Sequence, residues 1–282
     1  MTTTAPPRLN FLWLNITNNC QLACTHCYAD SGPTGTHGTM SVDDWITVLD
    51  QAAEIGVTAV QLIGGEPTLY PQMNSIALHA LSLGMTVEVY SNLVHVTEEM
   101  WALFTTPGVT LATSYYSDDA AEHDVITQRP SHARTRANIA KARQLGIELR
   151  AGVVQVLDQQ RVEQARTDLV DLGVPGTGFD RMREVGRGAQ NADTTAEELC
   201  GACGDGRVAI NPDGEATVCV FAGFTQPLGN VRTTPLYDLA ASLPQARDTL
   251  VSQGMPDRRA MGTSCNPDSG GGTCYPQNCM PA

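Results

Sequence analysis

Cations are scarce in this sequence. A single lysine, Lys141, occurs in 282 residues, and lysine and arginine together number 17 against 30 aspartate and glutamate residues. The formal charge of −13 argues against nucleic acid as a partner, because binding to phosphates needs basic surface. The same charge would suit a polycationic substrate, and the plainer alternative is that it serves solubility.

Long apolar runs are also missing. No stretch approaches the roughly 20 residues that span a bilayer, and residues 1–8 lack the apolar segment of a secretory signal. We therefore expect a cytoplasmic protein without membrane contact. Nine cysteines are many for such a protein, and cysteine groups in the cytosol more often bind metals or take part in catalysis than form disulfides.

Three of the cysteines are close together near the N-terminus. Cys20, Cys24 and Cys27 have C-x3-C-x2-C spacing just after an apolar run. An iron–sulfur cube normally takes four cysteine ligands, so three would leave one iron open to a ligand that is not protein. The alternative is a structural zinc site that takes a fourth ligand from His26 or His37.

Short apolar runs alternate with helical patterns through most of the chain. The runs predict strands at residues 9–16, 57–63, 86–90, 109–114, 147–154 and about 179–185. Helices are predicted after Ser41 and over about 72–83, 97–104, 132–145 and 160–172. This order predicts an α/β fold of parallel βαβ units, curved or closed into a barrel, in which ligands bind at the carboxyl ends of the strands.

Polar and glycine-rich segments coincide with those strand ends. The first strand is followed by the cysteine loop and the second by G-G-E-P at 64–67. The next ends carry Ser91, Asn92, Ser114 and Arg150. A polar and aromatic loop after the fourth strand, with Tyr115, Tyr116, Asp118, Asp119, His123 and Asp124, faces either solvent or a substrate.

The motifs together resemble the radical S-adenosylmethionine (SAM) superfamily. The resemblance rests on C-x3-C-x2-C after a first strand, an aromatic residue (Tyr28) after the third cysteine, and G-G-E-P after the second strand, and it covers about residues 9–190. It implies a partial (β/α)6 barrel in which Cys20, Cys24 and Cys27 hold a [4Fe–4S] cluster. SAM would bind the open iron and be cleaved reductively to a 5′-deoxyadenosyl radical that abstracts a hydrogen atom, with the protein positioning the cofactor.

The resemblance also implies which residues surround SAM. The segment with Gly64 and Gly65 would contact the methionine amino group, with Glu66 as the side-chain partner. Further contacts are expected from Ser91 and Asn92 to the ribose, from Arg150 to the methionine carboxylate with Ser114 nearby, and from Tyr28 to adenine. For Ser114, Arg150 and Tyr28 a structural role is the open alternative.

A second group of cysteines lies in the C-terminal third. Cys203 and Cys219 fit C-x10-G-x4-C, which resembles the start of the SPASM or twitch extension of radical SAM maturases. We expect residues 191–282 to form a small cysteine-rich domain apart from the 1–190 core, with one auxiliary [4Fe–4S] cluster on Cys203, Cys219, Cys265 and Cys274. The remaining Cys200 and Cys279 would be hydrogen-atom donors, ligands of an incompletely ligated second cluster, or spare thiols.

Two functions remain open at this point. One is a maturase that cross-links or epimerises a ribosomally made precursor peptide in natural-product biosynthesis. A separate leader-peptide-binding protein is then expected, since no such domain precedes residue 9. The other is a dehydrogenase or epimerase of an aminoglycoside or amino sugar, which the acidic charge suits. An activase of a glycyl-radical enzyme and a non-enzymatic iron–sulfur scaffold are further alternatives, and each enzyme needs an electron donor such as ferredoxin or flavodoxin.

Overall fold

Five strand–helix units, the fourth with two helices, and a sixth strand follow one another in the first part of the molecule. The computed structural model describes residues 9–174 and 176–257. The strands are β1 (Phe11–Thr17), β2 (Ala59–Gly64), β3 (Thr86–Tyr90), β4 (Val109–Ser114), β5 (Leu149–Gln155) and β6 (Gly176–Arg181). The helices are α1 (Val42–Glu54), α2 (Met73–Ser82), α3 (Glu98–Phe104), α4 (Ala120–Thr127), α5 (His132–Gln144) and α6 (Val162–Asp171).

All six strands belong to one parallel sheet, which confirms the α/β fold expected from the sequence. Three further strands continue it: β7 (Arg207–Ile210), β8 (Glu215–Thr217) and β9 (Gly229–Asn230). The strand order is β6-β5-β4-β3-β2-β1-β7-β8-β9. Since β7 pairs in parallel with β1, the C-terminal part shares the sheet of the first part, and the division into domains at residue 190 stays a prediction.

The two faces of the sheet differ in polarity. Side chains alternate between the faces along each strand, and the register places Trp13, Gln61 and Glu88 in one row across β1, β2 and β3. The alternate positions are apolar and join the core that also contains Trp45 of α1 and Ile76 of α2. The helices therefore cover an apolar face, while the other face keeps buried polar groups.

Two predicted elements require correction. The stretch Tyr115 to Asp124 is not one loop, because α4 begins at Ala120 after Asp119, whose side chain accepts a hydrogen bond from the Glu122 amide. The buried residue His123 is polar, so this short helix lacks the periodic apolar residues that indicate a helix, and the sequence predicted a loop. The sixth strand begins at Gly176, about three residues before the predicted position.

Two helices complete the described chain. They are α7 (Leu236–Ala241) and α8 (Leu243–Ser252), with Ser242 between them. Their apolar residues Leu236, Leu243 and Leu250 are buried in the same core. Across the described ranges, no helix is both long enough and apolar enough to cross a membrane.

Candidate active site

The three N-terminal cysteines line one cavity at the carboxyl ends of the strands. The volume in it that is open to a water-sized sphere is about 60 Å³. The ends of β2, β3 and β4 contribute Gly64 and Gly65, Tyr90 and Asn92, and Ser114. The sequence therefore correctly placed the cysteine loop, the G-G-E-P segment and the strand ends on one rim.

Backbone hydrogen bonds hold the cysteine loop against α4. The amides of Ala23 and Thr25 donate to the carbonyl oxygens of Thr127 and Ile126, at 3.1 and 3.0 Å. Those carbonyls lie at the C-terminal end of the helix, where four oxygens lack an intrahelical partner. The helix that sequence reasoning missed is thus one of the supports of the cysteine loop.

The thiols suit a cluster that is added to a preformed cavity. Burial raises the pKa of Cys24 to about 12 and that of Cys20 well above its usual range, so both thiols must lose protons when they ligate metal. In the part of the chain that the structure describes, no three His, Cys, Asp or Glu side chains are arranged to hold a single metal ion. A cube binds each cysteine through a different iron, which fits three thiols distributed around a cavity.

Neither histidine of the zinc alternative completes such a site. Nδ1 of His37 lies 2.8 Å from the Thr17 hydroxyl, and its ring packs edge-on against Tyr70. His26 is buried with its ring against Tyr116, and burial lowers its pKa to about 4. The donor set and the cavity therefore fit a [4Fe–4S] cluster better than a zinc ion.

Gly64 and Gly65 bring the end of β2 against the cysteine loop. The amide of Gly65 donates to the Thr17 carbonyl at 2.7 Å, and the amide of Glu66 donates to the Asn19 carbonyl at 2.9 Å. A Cβ on Gly64 would overlap the Thr17 oxygen, and Gly64 also has a φ of +139°. The glycines are thus required by backbone packing in addition to the expected approach of a cofactor.

The Glu66 carboxylate organises the end of β3. Oε1 accepts from the Ser91 hydroxyl at 2.7 Å and from the Thr68 amide and hydroxyl at 3.1 and 2.8 Å. Oε2 accepts from the Asn92 amide at 2.8 Å. Burial raises the pKa of Glu66, although the four hydrogen bonds act in the opposite direction and lower it. The carboxylate holds Ser91 and Asn92 in place, and its expected contact with a methionine amino group stays a prediction.

We expect Glu66→Gln to lower the free energy of unfolding by about 1–3 kcal/mol, because an amide NH2 would replace one of the two oxygens that accept hydrogen bonds. Urea denaturation of the metal-free protein measures the loss. Glu54→Gln is the matched control, since Glu54 is exposed at the end of α1. Equal stability of the two variants would contradict the structural role of Glu66.

Asn92 connects the end of β3 to the first cysteine. Its Oδ1 accepts from Gln21 at 3.0 Å, and its Nδ2 lies 3.7 Å from Sγ of Cys20. Ser91 is buried and donates to Glu66, so only Asn92 of this pair lines the cavity. The ribose contacts expected of both residues stay predictions.

The expectation for Arg150 is wrong in its placement. Arg150 is the second residue of β5, far from the carboxyl end of that strand at Gln155. Nε and Nη2 both donate to the Glu88 carboxylate at 2.8 Å, and the guanidinium lies 5.5 Å from the centre of the Tyr90 ring. Arg150 therefore belongs to the buried polar face of the sheet below the rim.

Aromatic side chains form much of the cavity wall. The hydroxyl of Tyr90 lies 3.1 Å from Oγ of Ser114, and Tyr28 and Tyr116 also line the cavity. The Tyr28 ring packs 5.0 Å from Phe221, so Tyr28 has both the cavity position and the core position that the sequence left open. Sequence reasoning missed Tyr90, although its position directly before Ser91 at a strand end was a usable signal.

His123, from the stretch that the sequence left open between solvent and substrate, belongs to the cavity wall. It is buried, its ring packs against Tyr115, Tyr116 and His132, and within the described residues its Nδ1 has no hydrogen-bond partner. Burial and the neighbouring His132 lower its pKa to about 4, so the ring is neutral near pH 7. A neutral imidazole offers one donor and one acceptor to a ligand.

The C-terminal cysteines form a second group. The thiols of Cys203 and Cys219 are buried, and their sulfur atoms are 3.1 Å apart across the β7–β8 hairpin. Hydrogen bonding of the Cys203 thiol with Cys200 and Cys219 raises the pKa of Cys203, so Cys200 joins a group that the sequence predicted without it. Cys265, Cys274 and Cys279 lie outside the described residues.

Comparison with protein families adds an independent observation. The model of the radical SAM superfamily matches residues 14–163, more than half of the chain. A PqqA peptide cyclase of Xanthomonas oryzae pv. oryzae is 39% identical over 92 residues, which cover 33% of this chain and 23% of that protein. The sporulation killing factor maturation protein SkfB of Bacillus subtilis is 38% identical over 79 residues, 28% of this chain and 19% of SkfB. The matched stretch is thus less than a quarter of each relative.

Solved structures share the fold at low sequence identity. Streptococcus suis SuiB bound to precursor peptide SuiA has a TM-score of 0.71 at 15% identity, over 86% of this chain and 66% of SuiB. The protein anSMEcpe with bound AdoMet has a TM-score of 0.70 at 12% identity, over 91% of this chain and 86% of anSMEcpe. These similarities confirm the arrangement of strands and helices around the cavity.

Proposed function

The chain belongs to the radical SAM superfamily, and from that membership we propose that it modifies a ribosomally made precursor peptide in natural-product biosynthesis, by cross-linking or epimerisation. The observation that carries the chemistry is the cavity lined by Cys20, Cys24 and Cys27. The peptide substrate is supported by the relatives, which include a peptide cyclase, and by the fold shared with SuiB bound to a precursor peptide.

A [4Fe–4S] cluster with bound SAM would supply one-electron cleavage of SAM and hydrogen abstraction. The chain's own part is to bind, orient and protect. Cys20, Cys24 and Cys27 would hold three irons, and the backbone at Gly64 and Gly65 would face the methionine end of SAM. The aromatic wall limits water beside the reacting groups, as a reactive carbon radical requires.

We place the remaining contacts on the residues that line the cavity. Asn92 is the side chain proposed for the ribose, and Tyr28 is proposed beside adenine, since both contribute to the cavity wall. Ser114, held by Tyr90, also lines the cavity and is kept as a candidate contact. The neutral His123 is added as a hydrogen-bonding group toward either SAM or the peptide.

An auxiliary [4Fe–4S] cluster is part of the proposal. Cys200, Cys203 and Cys219 supply three thiols in one place, and a fourth would come from Cys265, Cys274 or Cys279. Cys200 is then proposed as a cluster ligand and no longer as a hydrogen-atom donor. Cys279 is kept as the proposed hydrogen-atom donor. A ferredoxin or flavodoxin would supply the electrons, and a separate leader-peptide-binding protein would present the substrate.

The mass of the product tests the peptide proposal. The reconstituted protein is incubated without oxygen with SAM, dithionite and a short peptide encoded beside its gene. A cross-link gives a peptide lighter by two hydrogen atoms, and epimerisation in deuterated water gives a peptide that carries one deuterium at the inverted centre. A parallel reaction contains an amino sugar in place of the peptide. If the peptide stays unchanged while the amino sugar is oxidised, the peptide proposal is wrong and the carbohydrate alternative is right.

A further inference from the structure

Arg187 connects the loop after β6 to the cysteine loop. Its Nε donates to the Cys24 carbonyl at 2.8 Å and its Nη2 to the Ser31 carbonyl at 2.6 Å. Its backbone amide donates to the Cys27 carbonyl at 3.0 Å. With the donation from Nη1 to the Asp30 carboxylate at 2.8 Å, one residue makes four hydrogen bonds to the segment that contains the second and third cysteines, about 160 residues away in the sequence.

The residue before Arg187 fits the same contact. Gly186 has a φ of +57°, and a Cβ there would overlap the carbonyl oxygens of Cys27 and Tyr28. The backbone of the β6 loop therefore lies directly on the backbone of the cysteine loop. Because the two backbones are so close, the Arg187 side chain can extend across the cysteine loop and line the cavity.

The Arg187 charge is not cancelled at the cavity. Its only ion pair within the described residues is with Asp30, 2.8 Å away, whose side chain is 73% exposed, whereas the Arg187 side chain is 28% exposed. Water screens such an exposed anion strongly. The charge of the buried Glu66 acts on Cys20, whereas that of Arg187 acts on Cys24.

We propose that Arg187 is a positioning residue for the N-terminal cluster and that it also sets the reduction potential of that cluster. The guanidinium fork binds the carbonyls of Cys24 and Ser31, and the backbone amide binds that of Cys27, so that the cysteine loop is held in place for the cube. A cube held by three thiolates is negative and becomes more negative on reduction, so a fixed cation beside it favours the reduced state. The inference rests on the proposed cluster on Cys20, Cys24 and Cys27.

Two substitutions separate the charge from the fork. Arg187→Lys keeps the cation but cannot make the planar set of donations, and Arg187→Gln removes both. Arg181→Gln is the matched control, because Arg181 ends β6 just before the loop that contains Arg187, is 58% exposed and pairs with Glu198. All proteins are reconstituted, and the N-terminal cluster is identified by the electron paramagnetic resonance signal that changes when SAM is added.

We expect Arg187→Gln to reduce the equilibrium constant for one-electron reduction of that cluster at least tenfold, which is a shift of about 59 mV to more negative potential. The Arg187→Gln protein should also lose its iron to a chelator several times faster than the wild type. Arg187→Lys should keep the potential of the wild type and lose iron at the faster rate. Arg181→Gln should match the wild type in both measurements.

The outcomes distinguish this inference from the function on which it rests. A wild type with a SAM-responsive cluster, together with an Arg187→Gln protein of unchanged potential and iron retention, overturns the inference and leaves the function intact. Wild-type iron retention in Arg187→Lys overturns the role of the fork. A reconstituted wild type without a SAM-responsive cluster overturns both proposals.

Discussion

Alanine at Cys20, Cys24 or Cys27 should reduce the formation of 5′-deoxyadenosine from SAM to the background of a reaction without protein. The three thiols line one cavity, and the loss of any one leaves two protein ligands for a cube. Liquid chromatography with mass detection of 5′-deoxyadenosine measures the effect after anaerobic reconstitution and reduction with dithionite.

Thr25→Ala is the control for that experiment. Thr25 is exposed and lies in the same loop between two of the cysteines, so its loss leaves the thiols in place. We expect its rate to stay within about twofold of the wild type, as for surface substitutions in general. Cleavage of SAM by any of the three alanine variants at the rate of Thr25→Ala would refute the ligand assignment.

Alanine at Cys203 or Cys219 should remove the proposed auxiliary cluster and stop peptide modification without stopping the cleavage of SAM. Both thiols are buried and in contact, in a hairpin on the opposite edge of β1 from β2. Iron content should fall by one cluster, about four irons per chain. Iron analysis, 5′-deoxyadenosine yield and peptide mass are measured on the same preparation.

Val220→Ala controls for the packing of that hairpin. Val220 is half-buried directly beside Cys219 and has no thiol, so its loss should leave the iron content unchanged. Wild-type iron content in Cys203→Ala and Cys219→Ala would show that the second group of cysteines binds no cluster. Loss of SAM cleavage in these variants together with wild-type cleavage in Val220→Ala would show that the two sites are not independent.

The strands and the rim were predictable because their signals are local. Buried parallel strands appear as short apolar runs, as at Phe11 to Leu14, and glycines such as Gly56 and Gly84 mark the helix ends. Parallel connectivity then places every carboxyl end on the same rim, so the cysteine loop and the G-G-E-P segment could be brought together without coordinates.

The supports of the site were not predictable because they depend on contacts between distant segments. Arg187 contacts the cysteine loop across about 160 residues, and no periodicity marks such a partner. Helix α4 is short, and its buried face consists of His123, Ile126 and Thr127, two of which are polar. Arg150 was assigned to the rim as a residue at a strand end, whereas the structure places it second in β5, paired with Glu88.

The C-terminal cysteines show the same limit. The sequence could pair Cys203 with Cys219, because their spacing and the Pro-Asp-Gly turn between them are local signals. Cys200 precedes the hairpin without a motif, and only the folded chain brings its thiol to Cys203. Ligand sets assembled from loops therefore need three-dimensional proximity as well as spacing.

Transfer of deuterium from the peptide to 5′-deoxyadenosine tests the central claim most directly. A precursor peptide is prepared with deuterium on the carbon atoms that lose hydrogen, and it is incubated with the reconstituted protein, SAM and dithionite. The account predicts 5′-deoxyadenosine with one deuterium, formed together with the modified peptide. Modified peptide accompanied only by unlabelled 5′-deoxyadenosine would contradict it.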